Sequence, residues 1–217
     1  MEDSYQTLAA PAFGDFRDRA SKFLAYAYPV YTEEEWQAAI YEVKKLHPKA
    51  RHFCYAYRLG LDNQQFRAND DGEPSGTAGR PILGQIDSFG LTNVIVVVVR
   101  YFGGTKLGTS GLINAYRQAA IEAFETATII QKTVEDVFRI HFEYAIMSEV
   151  MNAVKQQNLN VLTQVFETEA YLDFAIRQSE KEDCLSQLRA NIAKVRIAEL
   201  PKLERIEGLE IKYLYTR

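Results

Sequence analysis

The alternation of apolar and polar positions predicts a helix as the first clear element. Between Glu33 and Leu46, the residues Trp36, Ala39, Ile40, Val43 and Leu46 recur on one helical face. Thr32 precedes that run as an N-cap residue, with Glu35 three residues later in capping-box spacing. Pro48 stops the helix. Phe53 to Leu59 is rich in aromatics and reads as a strand. Val94 to Val99 is apolar without a polar break, as a central strand buried on both faces requires. Leu112 to Ala127 is a second long helix, its apolar face made by Leu112, Ile113, Tyr116, Ala119, Ala120, Ala123 and Phe124.

The pattern changes near residue 131. Eleven of the twelve glycines lie before that point, and only Gly208 lies after it. The second part reads as strand (Val134 to Glu143), helix (Ile146 to Gln156), strand (Val161 to Glu167), strand (Ala170 to Ile176), helix (Lys181 to Asn191) and strand (Lys194 to Leu200). That β-α-β-β-α-β order is the ferredoxin-like pattern. The expected fold class is therefore α+β, with two domains, residues 1–130 and 131–217. A chain of 217 residues has room for two small domains.

Composition narrows the class. With 47% hydrophobic and 25% charged residues, the chain has the make-up of a globular protein. Two cysteines, Cys54 and Cys184, exclude a disulfide framework and fit a reducing compartment. No Cys-x-x-Cys pair exists, and with histidines only at 47, 52 and 141 a zinc site of the usual kind is discarded. The first residues have neither a basic start nor an apolar stretch, and no run approaches a membrane span. A cytoplasmic protein with no membrane association is expected. A net charge of -4 leaves nucleic-acid binding to a local patch rather than to the whole surface.

Two glycine-rich stretches concentrate chemistry. The first is Asp70-Asp71-Gly72-Glu73-Pro74-Ser75-Gly76-Thr77, running on through Ala78 and Gly79 to Arg80. It reads as a turn into a helix capped by Ser75 or Thr77, or as a binding loop whose glycines let a ligand approach the backbone. Asp70, Asp71 and Glu73 are the residue types for a hard cation, but their spacing is not that of a calcium loop, so no metal and no cofactor are expected. The second stretch is Arg100-Tyr101-Phe102-Gly103-Gly104-Thr105-Lys106-Leu107-Gly108-Thr109-Ser110. It leaves a buried strand and opens a helix, the usual setting for holding phosphate. Gly103 and Gly108 have Walker A spacing, yet Thr109 stands where that motif requires lysine, so P-loop hydrolysis is not expected.

Basic residues mixed with aromatics form a third feature. Lys49, Arg51, His52 and Arg58 lie in a stretch without acids, interleaved with Phe53, Tyr55 and Tyr57. Such a mixture suits single-stranded RNA, where bases stack and phosphates pair. It equally suits a strand with alternate residues facing solvent and core. Cys54, His52, Ser75, Thr77 and Asp71 supply residue types of a nucleophilic triad, but no nucleophile elbow is present and no catalytic residue is assigned.

These stretches together resemble the signature motifs of the IMPACT/YigZ family. The resemblance is carried by Asp70 to Gly79 and by Val99 to Gly108. It extends to His47-Pro48-Lys49-Ala50-Arg51-His52-x-Cys54-Tyr55-Ala56-Tyr57-Arg58 and to Ser21 to Ala27. It covers roughly residues 15–125. It implies a left-handed β-α-β fold shared with domain IV of elongation factor G and the GHMP kinases, followed by a ferredoxin-like domain similar to domain V of that factor. Eukaryotic members regulate translation under amino-acid starvation by binding the activator of an initiation-factor kinase. They carry an extra N-terminal interaction domain, whereas Met1 here begins almost at the shared module, so a partner of the eukaryotic kind is not expected.

The resulting expectation is a non-enzymatic translation-linked regulator that binds RNA, the ribosome or a translation factor. Arg80, Arg100 and Lys106 would contact phosphate, and Tyr101 or Phe102 would stack on bases. The alternative is a protein or enzyme that holds a small phosphorylated ligand or nucleotide in the same loops.

Overall fold

The computed structural model describes residues 3–61, 64–202 and 205–217. The chain divides into two compact units, Tyr5–Lys132 and Thr133–Arg217, the latter together with Asp3 and Ser4. The described residues form a mixed α/β protein with three sheets and five α-helices.

The N-terminal unit runs β1 (Ser4–Leu8), β2 (Ala12–Asp18), β3 (Ser21–Pro29), α1 (Glu33–Leu46), β4 (His52–Leu59), β5 (Gln65–Asn69), α2 (Gly79–Ser88), β6 (Val94–Tyr101), α3 (Gly108–Glu125) and β7 (Ile129–Thr133). A five-stranded sheet has the order β2-β3-β6-β4-β5, antiparallel throughout, and β1 pairs with β7. The valine run is the sheet's middle strand. Val94, Val96 and Val98 pack toward α2 and α3, while Ile95, Val97 and Val99 pack on the opposite side with Trp36 and Val43 of α1.

Helix α1 has the expected bounds. Thr32 accepts a hydrogen bond from the Glu35 N–H, and the Glu35 carboxylate reaches back to the Tyr31 N–H rather than to that of Thr32. Helix α3 begins at Gly108, a turn earlier than the apolar pattern suggested. Its alanines let it lie against β2, where a Cβ on Gly14 would stand 2.6 Å from the Ala123 nitrogen.

The C-terminal unit runs β8 (Glu135–Phe142), α4 (Met147–Gln156), β9 (Asn160–Phe166), β10 (Ala170–Arg177), α5 (Lys181–Ala193) and β11 (Leu209–Thr216), with sheet order β11-β8-β10-β9. Phe138, Ile140, Leu172 and Phe174 on the central strands form its core with Val150 and Val154 of α4 and Leu188 and Ile192 of α5.

One expectation is corrected here. The last strand is not Lys194 to Leu200. Lys194 takes a left-handed conformation that closes α5, and a 3-10 turn, Ile197–Lys202, follows. Pro201 lacks an N–H for a ladder, and the Arg196 N–H and guanidinium both donate to the Glu199 carboxylate, which holds the turn. The strand forms instead from Leu209-Glu210-Ile211-Lys212-Tyr213, where apolar and charged residues alternate. The strand expected at Val134 to Glu143 forms as Glu135–Phe142. Ile129–Thr133 before it is a separate strand paired with β1.

Candidate functional site

The two glycine-rich stretches meet around a buried polar cluster at the ends of β4 and β6. The first stretch folds around Asp70. Its Oδ1 accepts from the Ala78 and Gly79 N–H groups at 3.0 and 2.8 Å, and its Oδ2 accepts from Gly76 N–H at 2.7 Å. Burial works against the charge, but these three donors and nearby Arg80 outweigh it and hold the carboxyl below its usual range. Asp70 therefore caps α2 from eight residues away. Ala78 is the N-cap residue, and neither Ser75 nor Thr77 serves. Thr77 is buried and donates its hydroxyl to the Pro74 carbonyl.

Asp71 ties the loop to β4. Its Oδ2 accepts from the Phe53 N–H at 2.7 Å, and its carbonyl is hydrogen-bonded with His52 Nδ1 at 2.9 Å. Glu73 points inward. Its Oε1 accepts from Arg100 Nη1 at 2.6 Å and from the Tyr116 hydroxyl at 2.8 Å. The Arg100 and Glu73 side chains are only 8% and 4% exposed. The guanidinium carbon lies 5.5 Å from the ring centres of both Phe23 and Phe102. Arg100 Nε is buried without a hydrogen-bond partner.

Several assignments change accordingly. Arg100 is not a surface phosphate contact, because its charge is committed to Glu73 inside the protein. Asp70, Asp71 and Glu73 do not converge, since each carboxylate serves a different partner. Among the described residues no group of three or more His, Cys, Asp or Glu is placed to hold a metal ion. Arg58 pairs with Asp87. Gly103 donates its N–H to Ser21 Oγ, and a Cβ there would stand 2.1 Å from the backbone carbon of Ala20, so this glycine is required for packing against the β2–β3 turn. Tyr101 is hydrogen-bonded to His47 Nδ1, whose Nε2 is hydrogen-bonded to Tyr26. Burial, reinforced by the charge of Lys22, lowers the His47 pKa.

Cys54 does not qualify as a nucleophile. The thiol has the Asp70 carbonyl at 2.9 Å and the Tyr116 hydroxyl at 3.3 Å as acceptors. Burial, reinforced by the charges of Glu73, Asp71 and Asp70, pushes its pKa far up.

What stays on the surface is a smaller group. Arg80, Lys106, Thr109 and Ser110 are exposed, as are Gly104 and Gly108 beside them and Gly72, Pro74 and Ser75 of the other loop. The Phe102 ring is 59% exposed. Helix α3 opens with no side-chain cap and no acidic residue in its first turn, an arrangement whose N–H groups and dipole favour negative charge. Lys49 and Arg51 are exposed near the C-terminal end of α1. The sequence places Tyr116 only on the apolar face of a helix, and Ser21 and Phe23 only within the stretch that carries the family resemblance. No local signal distinguishes a core tyrosine that bonds a carboxylate from one that merely fills space.

Residues 19–124 match the model of the Impact N-terminal domain. The chain is 31% identical over 210 residues to IMPACT family member YvyE of Bacillus subtilis strain 168, spanning 94% of this chain and 96% of that protein. It is 37% identical over 144 residues to IMPACT family member YigZ of Escherichia coli strain K12, covering 65% of this chain and 71% of that one. A crystal structure described as that of a hypothetical protein superposes with a TM-score of 0.70 at 27% identity, covering 99% of both chains.

Proposed function

The chain belongs to the IMPACT family, and from that premise we infer that it is a non-enzymatic, translation-linked regulator whose N-terminal unit binds RNA at the ribosome. The observation that carries this reading is the exposed group at the start of α3. Phe102 offers an aromatic face, Lys106 a charge, and an uncapped helix of 18 residues a set of free N–H donors. An aromatic face beside an anion-attracting backbone is what a single-stranded nucleic acid uses, one base stacked and its phosphate neutralised. The Arg100–Glu73 pair lies beneath, its guanidinium carbon 5.5 Å from the Phe102 ring centre, within cation–π range. A buried, strongly protonated Cys54 supports a binding role over a covalent one. We read the C-terminal β-α-β-β-α-β unit as ferredoxin-like on the strength of its β11-β8-β10-β9 order. The N-terminal unit we take as the left-handed β-α-β fold of the family.

Ribosome co-sedimentation across a salt series tests the reading. Wild type is expected in the pellet at low salt and released as salt rises, since each phosphate contact returns counterions to solution. Phe102→Ala/Lys106→Ala is expected in the supernatant. Equal pelleting of that variant would remove the loop from the interface. Absence of pelleting for both proteins, together with a nucleotide-dependent rise in melting temperature, would transfer the site to a small phosphorylated ligand.

A further inference from the structure

The helix-facing side of the C-terminal sheet is incompletely covered at its β11 edge. Leu209 and Ile211 of β11 and Ile206 before it pack against the unit's core while remaining partly open. Leu200 and Pro201 of the 3-10 turn line the same space. Between these side chains and α5 lies a cavity of about 440 Å³. That volume falls within the range of about 300–1,000 Å³ typical of small-molecule sites. Its walls are aliphatic, with no aromatic ring among them.

The rim has the opposite character. Ser186 and Arg189 of α5 and Arg205 line it, and among the described residues no carboxylate does. Elsewhere in this unit Arg139, Lys181, Lys194, Arg196 and Arg217 each have a carboxylate partner. Among the described residues Arg189 and Arg205 have neither an ion-pair nor a hydrogen-bond partner, in a chain where 29 acidic residues outnumber 25 basic ones. Two guanidinium groups on one rim repel each other, and an anion between them turns that repulsion into two charge-assisted contacts. An aliphatic body in the cavity removes the wall side chains from water. Arg205 also borders a broader depression whose lining includes Glu143, Glu169 and Glu207, so Arg189 is the cleaner reporter of the aliphatic cavity.

We propose that this cavity is a binding site for a small aliphatic carboxylate, its chain among Leu200, Ile206, Leu209 and Ile211 and its head group on Arg189 and Arg205. The site lies within the C-terminal unit and does not depend on the RNA reading. Calorimetric titration of the full chain with decanoate, beside methyl-resolved NMR, tests it. Decanoate is expected to bind saturably and to shift the methyl signals of Ile206, Leu209 and Ile211. Loss of a charged hydrogen-bond donor weakens binding by at least about tenfold, so Arg189→Gln and Arg205→Gln are each expected to show that loss. Lys155→Gln, away from the cavity, is expected to bind as wild type. Both arginines are exposed, so their substitution leaves the fold intact and a loss of binding is read directly. No saturable binding, decanol binding as tightly as decanoate, or undiminished binding by Arg189→Gln/Arg205→Gln would each overturn the proposal.

Discussion

Arg100 Nη1 donates to Glu73 Oε1 across 2.6 Å, joining residues 27 apart in sequence and sealing the pair from solvent. The contact links the two glycine-rich stretches to each other and to α3 through Tyr116. It makes the arginine part of the scaffold under the binding surface.

Removing one partner strands the other charge in the interior. Arg100→Ala and Glu73→Ala are each expected to lower stability by about 3–5 kcal/mol in urea unfolding. Joint replacement by apolar residues, Arg100→Met/Glu73→Leu, is expected to cost less than either single change. Single-variant losses below about 1 kcal/mol would show that the pair is solvated in solution.

Asp70 ties stability to acid pH. Its folded pKa lies below the unfolded value, lowered by three N–H donors against the effect of burial. Its contribution is therefore full above the unfolded pKa of about 3.9 and is lost as pH falls through the lowered folded value. Asp70→Asn is expected to flatten the acid limb of a melting temperature against pH curve and to leave the limb above pH of about 7 parallel to wild type.

His47 acts in a higher pH window. Burial, with the charge of Lys22, lowers its folded pKa, so the neutral ring between Tyr26 and Tyr101 is the favoured form. Its contribution is present above the unfolded value of about 6.5 and declines as pH falls through the folded value. NMR titration of the ring is expected to give a midpoint below that of a histidine in an unstructured peptide. His47→Gln is expected to remove the corresponding pH dependence of unfolding.

The glycines of the second stretch differ in their demands. A Cβ on Gly103 meets backbone atoms of Ala20 and Ser21 within 2.4 Å, whereas one on Gly104 meets nothing within 4 Å. Overpacking of this kind costs about 1–3 kcal/mol. Gly104→Ala carries only the left-handed backbone penalty of about 1 kcal/mol, from its φ of 87°. Thermal denaturation is expected to rank Gly103→Ala well below Gly104→Ala. The reverse order would mean that the β2–β3 turn yields.

Cys54 is expected to resist alkylation at pH 8 until the protein unfolds, since the thiol is buried and its ionisation suppressed. Mass spectrometry of partially labelled protein should place early label on Cys184, which is only half-buried. Rapid labelling of Cys54 would reopen the covalent reading.

Local pattern by itself determined those elements whose burial repeats at short range. The Thr32 cap, the Trp36–Val43 face and the stop before Pro48 define α1. The unbroken valines identify the strand buried on both sides. The composition of the two glycine-rich stretches marked where the chain departs from regular structure. Only the tertiary structure decided what those stretches do. Whether Arg100 faces solvent or a carboxylate depends on Glu73 arriving from another loop, and whether Asp70 binds metal or caps a helix depends on where α2 begins. The final strand lies outside the reach of local pattern for a related reason. Residues 194–200 have strand-like composition, but a left-handed Lys194 and the missing N–H of Pro201 divert the backbone, and the sheet edge goes to Leu209–Thr216. Periodicity records how a segment meets water and core. It carries no information about which distant group satisfies a buried charge, because that choice is made only when the elements pack.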